Sequence, residues 1–262
     1  MSFDALDANA DGAGRALRLI IGPNTKELSM STQDQQTAPD EAVRERIKAS
    51  HDLDGDAVRL ANLYRGWAST FDQDQVRVGY CGPTIVAELA GAVQRAYLAG
   101  QRNGIAILDA GCGTGLVGVE LERLGFRLID GFDLSQEMAA KALQTGVYRH
   151  ARGNVDLNGR LSDYASAGYD LTVCCGVFTL GHVRPDGLRE LARVTRPNGF
   201  VVASTRKSYA ESTSFEVEVQ RLQDEGFLEL VQCLRNGRYL AEEDGHYWVF
   251  RIPTSAPPQE RP

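Results

Sequence analysis

No apolar run in the chain approaches the roughly 20 residues that span a bilayer, and Ala16-Leu17-Arg18-Leu19-Ile20-Ile21 is too short and interrupted for a signal-peptide core. Neither a membrane span nor an export signal is expected, so the expected compartment is the cytoplasm. Basic charge is also in short supply. With 28 Lys and Arg against 35 Asp and Glu, the formal charge is −7, which argues against the cationic face that nucleic acids require. Cysteine is sparse and unpatterned: Cys81, Cys112, Cys174, Cys175 and Cys233 form neither a metal knuckle nor a Cys-x-x-Cys pair. No metal site is expected, and buried free thiols in a reducing compartment are.

What is present is enough for one domain. The chain has 262 residues, ample to bury a large core. Residues 1–40 lack sustained periodicity and are expected to be a disordered tail, with Met30 as an alternative start; 254–262 hold three prolines and are expected to fray. Between them, 41–253 read as a single domain made of a helical lid (41–100) and a core (101–253). In the lid, Val43, Ile47, Leu53, Val58, Leu60, Leu63 and Trp67 recur in broken helical spacing, and Pro83 opens a helix that Gly100 stops. Beyond it, strands expected at 105–110, 127–132, near 150–155, 169–175 and 200–204 alternate with helices at 115–124, after Ser135 and after Pro185. That alternation predicts right-handed crossovers and a parallel α/β sheet covered on both faces. Residues 227–233 and 246–252 read as an antiparallel pair.

The most informative stretch is Ile105-Ala-Ile-Leu-Asp109-Ala-Gly111-Cys112-Gly113-Thr114-Gly115. A buried strand runs into a carboxylate and then three alternate glycines, a turn that lets backbone approach a ligand closely. Gly113-x-Gly115-x-x-Gly118 also matches a dinucleotide fingerprint, with Asp133 near the position of its ribose carboxylate; a nicotinamide oxidoreductase is the reading this leaves open. Asp109 weighs against it. An anion beside the turn repels a pyrophosphate and suits an ammonium or sulfonium.

Asp-x-Gly-x-Gly-x-Gly resembles the turn of class I S-adenosylmethionine-dependent methyltransferases, and from roughly Tyr64 onward the chain is similar to that family. Gly176-Val-Phe-Thr-Leu-Gly-His182-Val183, Leu63-Tyr64-Arg65-Gly66-Trp67-Ala68-Ser69-Thr70-Phe71-Asp72 and Tyr247-Trp248-Val249-Phe250 further resemble the Williams–Beuren syndrome region methyltransferase-like group and its bacterial relatives. The resemblance implies a Rossmann-like, seven-stranded, mostly parallel sheet with an antiparallel terminal strand. It implies S-adenosyl-L-methionine as cofactor, with Asp109, Gly111, Cys112, Gly113, Thr114 and Gly115 at its methionine portion and Asp133 on the ribose hydroxyls. Leu134 and Met138 are candidates for the adenine face, Asp156 (or Asn154) for the adenine edge, and Gly176 for the end of the fourth strand. Tyr64 and Trp67 would lie over the methionine end, where an aromatic face attracts a sulfonium.

For methyl transfer itself, His182 is the candidate proton acceptor and Tyr80 a second candidate catalytic group, because a base is needed only where the acceptor must lose a proton early. His51, His150 and His246 are expected to be surface or structural. Residues 205–225, with Arg206, Lys207, Tyr209 and Phe215, are expected to form a substrate lid. The fourth strand lacks the Asn/Asp-Pro-Pro-aromatic signature of base and amide methyltransferases, so the expected acceptor is a small molecule methylated on oxygen or nitrogen, with secondary metabolism as the setting. The competing expectation is a protein that senses the cofactor or assists a cyclisation or isomerisation without methylating.

Overall fold

The computed structural model describes residues 41–254; the two expected tails, apart from Thr254, lie outside the described residues. Four helices come first: α1 (Glu41–His51), α2 (Ala57–Trp67), α3 (Phe71–Arg77) and α4 (Gly82–Tyr97). The broken periodicity of 41–71 is thus three short helices. Asp56 starts α2 by accepting the Val58 and Arg59 amides on its side chain, satisfying donors that a helix start leaves orphaned.

The core then alternates: β1 (Ala106–Ala110), α5 (Leu116–Arg123), β2 (Leu128–Phe132), α6 (Gln136–Gln144), β3 (His150–Arg152), β4 (Tyr169–Phe178), α7 (Gly187–Val194) and β5 (Thr195–Arg206). Two short helices, α8 (Lys207–Ser212) and α9 (Phe215–Asp224), lead to the hairpin strands β6 (Glu229–Arg238) and β7 (Asp244–Arg251). Ser135 caps α6, accepting the Met138 amide. The sheet runs β3-β2-β1-β4-β5-β7-β6. β3 to β5 are parallel neighbours, and β7, the last strand of the chain, is antiparallel to both β5 and β6. Because the chain steps outward from β1 to β3 and returns to β4, a crevice opens at the carboxyl ends of β1 and β4.

Both faces of the sheet are covered, and the central strands show it in their side chains. Val202, Tyr247 and Val249 pack with Val86, Val93 and Leu121 of α4 and α5. Their neighbours Val201, Trp248 and Phe250 point the other way, toward Leu188, Leu191 and Leu222 of α7 and α9. Each fully buried side chain of this size contributes roughly 1.5–3 kcal/mol relative to exposure. A third, smaller cluster of Val43, Trp67, Val78 and Met138 joins the first helices to α6.

Three segments differ from the sequence expectation. The strand expected at 200–204 begins earlier, at Thr195, and residues 196–199 form a bulge inside β5, where the register jumps from Tyr169↔Thr195 to Leu171↔Phe200. β4 runs on to Phe178 with a second irregularity between Cys174 and Phe178, and this kink turns residues 175–177 toward the crevice. The expected lid at 205–225 is corrected: Tyr209 and Phe215 are buried core residues, with Phe215 packed edge-on to Phe178 and against Trp248. Their rings have more apolar surface to hide than a polar lid tolerates, and the covering role falls to α1–α3.

Gly118 faces the Tyr148 ring so closely that an added Cβ would lie 2.3 Å from its Cζ and Oη. Gly118→Ala is therefore expected to cost about 1–3 kcal/mol by overpacking, read as a lower melting temperature; an unchanged melt would show that Tyr148 is not held where it is.

Candidate active site

The crevice is a cleft enclosing about 1210 Å³, its open mouth included. Its floor is the glycine turn. Gly111 and Cys112 both donate their amides to Phe132 O at 2.8 Å, pinning the turn to the end of β2. Gly113 has a positive φ of 54°, and a Cβ there would meet nothing within 4 Å. Its missing side chain leaves open room on the cleft wall.

Asp133, just past β2, organises the same corner. Its Oδ2 accepts the Gly113 amide at 2.9 Å and its Oδ1 the Ser135 amide at 2.8 Å. Burial raises its pKa to about 6, against the lowering effect of those two amides. Each oxygen keeps a further lone pair toward the cleft, so the carboxylate can still take two adjacent hydroxyls. Leu134, Met138 and Asp156 line the wall beside it, with Val155 and Leu157, which sequence reasoning missed. Asp156 accepts the Asn158 amide at 2.8 Å. Asn154, the alternative to Asp156, is exposed and bonds Gln136 instead.

Asp109 is not on the wall. It is completely buried beneath the turn, with Oδ2 accepting the Tyr148 hydroxyl at 2.6 Å and Oδ1 without a hydrogen-bond partner among the described residues. Burial raises its pKa to about 7. The expectation of a carboxylate lying open beside the ligand is thus corrected: the group acts from under the floor, with one oxygen orphaned there. Tyr148 also accepts the Gly118 amide at 3.0 Å, and so ties Asp109 to the first turn of α5. Gly115 is likewise off the wall, and a Cβ on it would press on Ala142 and Tyr148.

The roof comes from the first helices. Tyr64 and Trp67 of α2 meet Phe71 at the start of α3, with Tyr64 and Trp67 stacked at 5.9 Å and Phe71 edge-on to Trp67 at 5.1 Å; the break at 68–70 replaces the single helical face that the spacing suggested. All three line the cleft. Buried Asp74 fixes the group by accepting Trp67 Nε1–H at 2.7 Å and pairing with Arg46 at 3.0 Å. The roof is fastened to the floor where Thr114 donates to Asp72 at 2.5 Å and Arg65 pairs with Glu137 at 3.0 Å. A further tie is the Gly55 amide on Gly181 O at 2.9 Å.

At the β4–β5 end stand Tyr80, Cys175, Gly176, His182, Tyr239 and Arg206. Tyr80 Oη lies 3.1 Å from Cys175 Sγ and 3.4 Å from Tyr239 Oη, and burial raises the pKa of all three groups, Cys175 to about 12. His182 is not the free imidazole expected. Its Nδ1–H donates to Leu180 O at 2.8 Å, which leaves Nε2 to accept the Tyr64 hydroxyl at 2.7 Å. Burial lowers its pKa to about 4, so it stays neutral. His51, expected at the surface, also lines the cleft and meets Thr179 Oγ1 at 3.3 Å. No local signal marked Tyr239: it arrives from the distant hairpin, and only the topology brings it beside Tyr80.

The family described as "Methyltransferase domain" matches residues 108–203, from β1 into β5. Methyltransferase-like protein 27 of Homo sapiens is 30% identical over 190 residues, covering 71% of this chain and 75% of that protein. EEF1A lysine methyltransferase 2 of Danio rerio is 32% identical over 113 residues, 38% of this chain and 47% of that protein. Among solved structures, the TehB-like SAM-dependent methyltransferase from Corynebacterium glutamicum superposes with a TM-score of 0.52 at 21% identity, over 71% of this chain and 98% of that one. At that identity the likeness concerns the fold alone. No helix among the described residues is long and apolar enough to cross a membrane.

The two raised carboxyls set a pH dependence. The ordinary value is 3.8, against about 7 for Asp109 and about 6 for Asp133 in the folded chain. Between these limits the folded state holds protons that the unfolded state has released, so stability falls as pH rises through the window. In urea titrations at about pH 5 and about pH 8, the loss is expected to be larger for the wild type than for Asp109→Asn. Equal losses would refute the assignment.

Proposed function

The chain belongs to the class I S-adenosylmethionine-dependent methyltransferases, as a relative of methyltransferase-like protein 27, and from that premise we propose that it methylates an oxygen or nitrogen of a small-molecule acceptor, in secondary metabolism. The observation that carries the reading is one roofed cleft in which the stripped glycine turn, the two-amide carboxylate of Asp133 and the Tyr64–His182 pair meet.

The residues fit the cofactor. Gly113 leaves open space at the floor, and Asp133 keeps the lone pairs that a ribose diol needs. Asp109 offers an orphaned oxygen beneath the methionine end, where a nearby cation would favour its charged form. Gly111, Cys112 and Thr114 shape that end, Leu134 and Met138 flank the adenine, and Asp156 takes its edge. When bound, S-adenosylmethionine supplies an electrophilic methyl and a neutral leaving group. The chain's task is then to position the acceptor and exclude water.

Tyr64, Trp67 and Phe71 do the excluding, as a hydrophobic roof held by Asp74. Tyr80 and Gly176 border the reacting end, with the Tyr80 hydroxyl available to orient an acceptor. An acceptor hydroxyl that donates to Tyr64 Oη can pass its proton through Tyr64 to His182 Nε2, whose other nitrogen is locked on Leu180 O. His182 therefore accepts the proton through Tyr64 and not by direct contact. The unpaired, mostly buried thiols suit a reducing cytoplasm. A protein lysine is the second reading, since one relative is named for that acceptor.

Isothermal titration with S-adenosylhomocysteine is expected to give a Kd of about 1–100 µM, and Asp133→Ala to weaken it about 10–100-fold. Undiminished binding in that variant would remove Asp133 from the site. His182→Gln is expected to lower kcat about a hundredfold with cofactor affinity unchanged; if kcat holds, the proton route is wrong. Labelled methyl recovered only on protein lysine from a whole extract would replace the small-molecule reading with the second one.

A further inference from the structure

Arg206 ends β5, two strands across the sheet from the glycine turn, and its side chain is only 12% exposed. A guanidinium that far out of water needs its five N–H donors met or its charge paired. Here one nitrogen, Nη1, bonds Glu243 Oε2 at 2.9 Å. The other Glu243 oxygen is taken by the Ser208 amide and hydroxyl, at 3.2 and 2.5 Å, so the carboxylate cannot grip Arg206 with both oxygens. No other hydrogen-bond acceptor among the described residues meets Arg206. Its plane lies over Tyr239 at 5.8 Å, and it lines the cleft. Arg206 thus borders both the cleft and the cavity beside it with hydrogen-bond donors left over.

The surroundings have the same sign. A second cavity shares Ile47, His51, Arg206 and Leu240 with the cleft and so extends its β5 side outward. Its walls carry Arg44, Lys48 and Lys207 besides Arg206, against Glu211, Glu242 and Glu243. Arg44 pairs with Glu242, Lys207 with Glu211 and Arg206 with Glu243, which accounts for each acid and leaves Lys48 in surplus. On a chain of formal charge −7, this is a locally cationic approach. The titratable groups around Arg206, namely His51, His182, Tyr64 and Tyr239, are neutral when burial lowers imidazole and raises phenol pKa values. Glu243 is the acid paired with the guanidinium, and Asp52 acts on His51 farther out.

We propose that this is the acceptor's recognition site and that the acceptor is an organic acid, its carboxylate held by the free edge of Arg206 and its apolar body against Tyr80, Tyr239 and Leu240. A guanidinium presents parallel N–H donors to a carboxylate. The same charge repels a cationic acceptor such as a lysine ammonium, so the device selects against the competing acceptor as well as for this one. The proposal rests on the methyltransferase reading for the acceptor's fate, but recognition of the acid is measurable without turnover.

The test is ligand-observed NMR on the full chain, with and without S-adenosylhomocysteine. The probes are acetate, benzoate, phenylacetate and indole-3-acetate, each beside its own amide. At least one acid is expected to bind about tenfold or more tightly than its amide. R206Q should erase that preference, and R206K, which keeps the charge but loses the fork, should retain a weakened one. A thermal melt matching the wild type establishes that either variant is folded. No acid surpassing its amide, or a preference surviving in R206Q, would overturn the proposal. Acid preference lost in R206Q while S-adenosylhomocysteine fails to bind would uphold this site and sink the cofactor reading, so the two failures are distinct.

Discussion

The Tyr148 hydroxyl, between the Asp109 carboxyl and the Gly118 amide, is the contact on which the floor of the site depends. A carboxyl completely removed from water is costly unless it is hydrogen-bonded, and here a single phenol supplies the bond. To reach it, the Tyr148 ring must enter a slot bordered by Gly115, Gly118 and Gly131, where added side chains would collide with it. Part of the glycine pattern that reads as ligand approach therefore serves a tyrosine. Only the earlier part of the turn, at Gly111 and Gly113, belongs to the cleft wall.

That division bears on what could be read from the chain beforehand. Element types, the parallel alternation and the antiparallel last strand were legible, because periodicity, Pro83 and Ser135 are local signals. That Asp133, Leu134, Met138 and Asp156 border the cleft was legible for a similar reason, since each follows a strand by a short interval. Asp109 and Gly115 were assigned to the right turn but to the wrong surface of it. Spacing shows that a carboxylate and glycines are neighbours, not which side of a bend each one faces. His182 was located correctly, but its lone pair is taken by Tyr64, 118 residues earlier. Tyr239, His51 and the buried fate of Tyr209 and Phe215 depend on long-range packing, which no window of sequence contains.

The cleft is electrically uneven. Its β2 side carries Asp133 with Asp109 below it, and its β5 side carries Arg206. Between them lies the neutral, aromatic middle of Tyr64, Trp67 and Tyr80, groups whose titration burial suppresses. A molecule with cationic and diol character at one end, meeting an anion at the other, is aligned by this field before any specific contact forms. Asp133 also raises the cost of ionising Asp109, adding to the larger effect of burial. A positive ligand beside them would favour their charged forms.

The roof has ties at several points along its length, to Thr114, to Glu137 and to Gly181, while the cavity around Arg206 opens beside α1 and not beneath those ties. Traffic is thereby divided. The ties hold Tyr64 and Trp67 over the glycine turn, whereas Arg206 is reached past the edge of α1. On the proposed function, acceptor and methylated acceptor share the α1 edge, a route that leaves the ties of the roof unbroken.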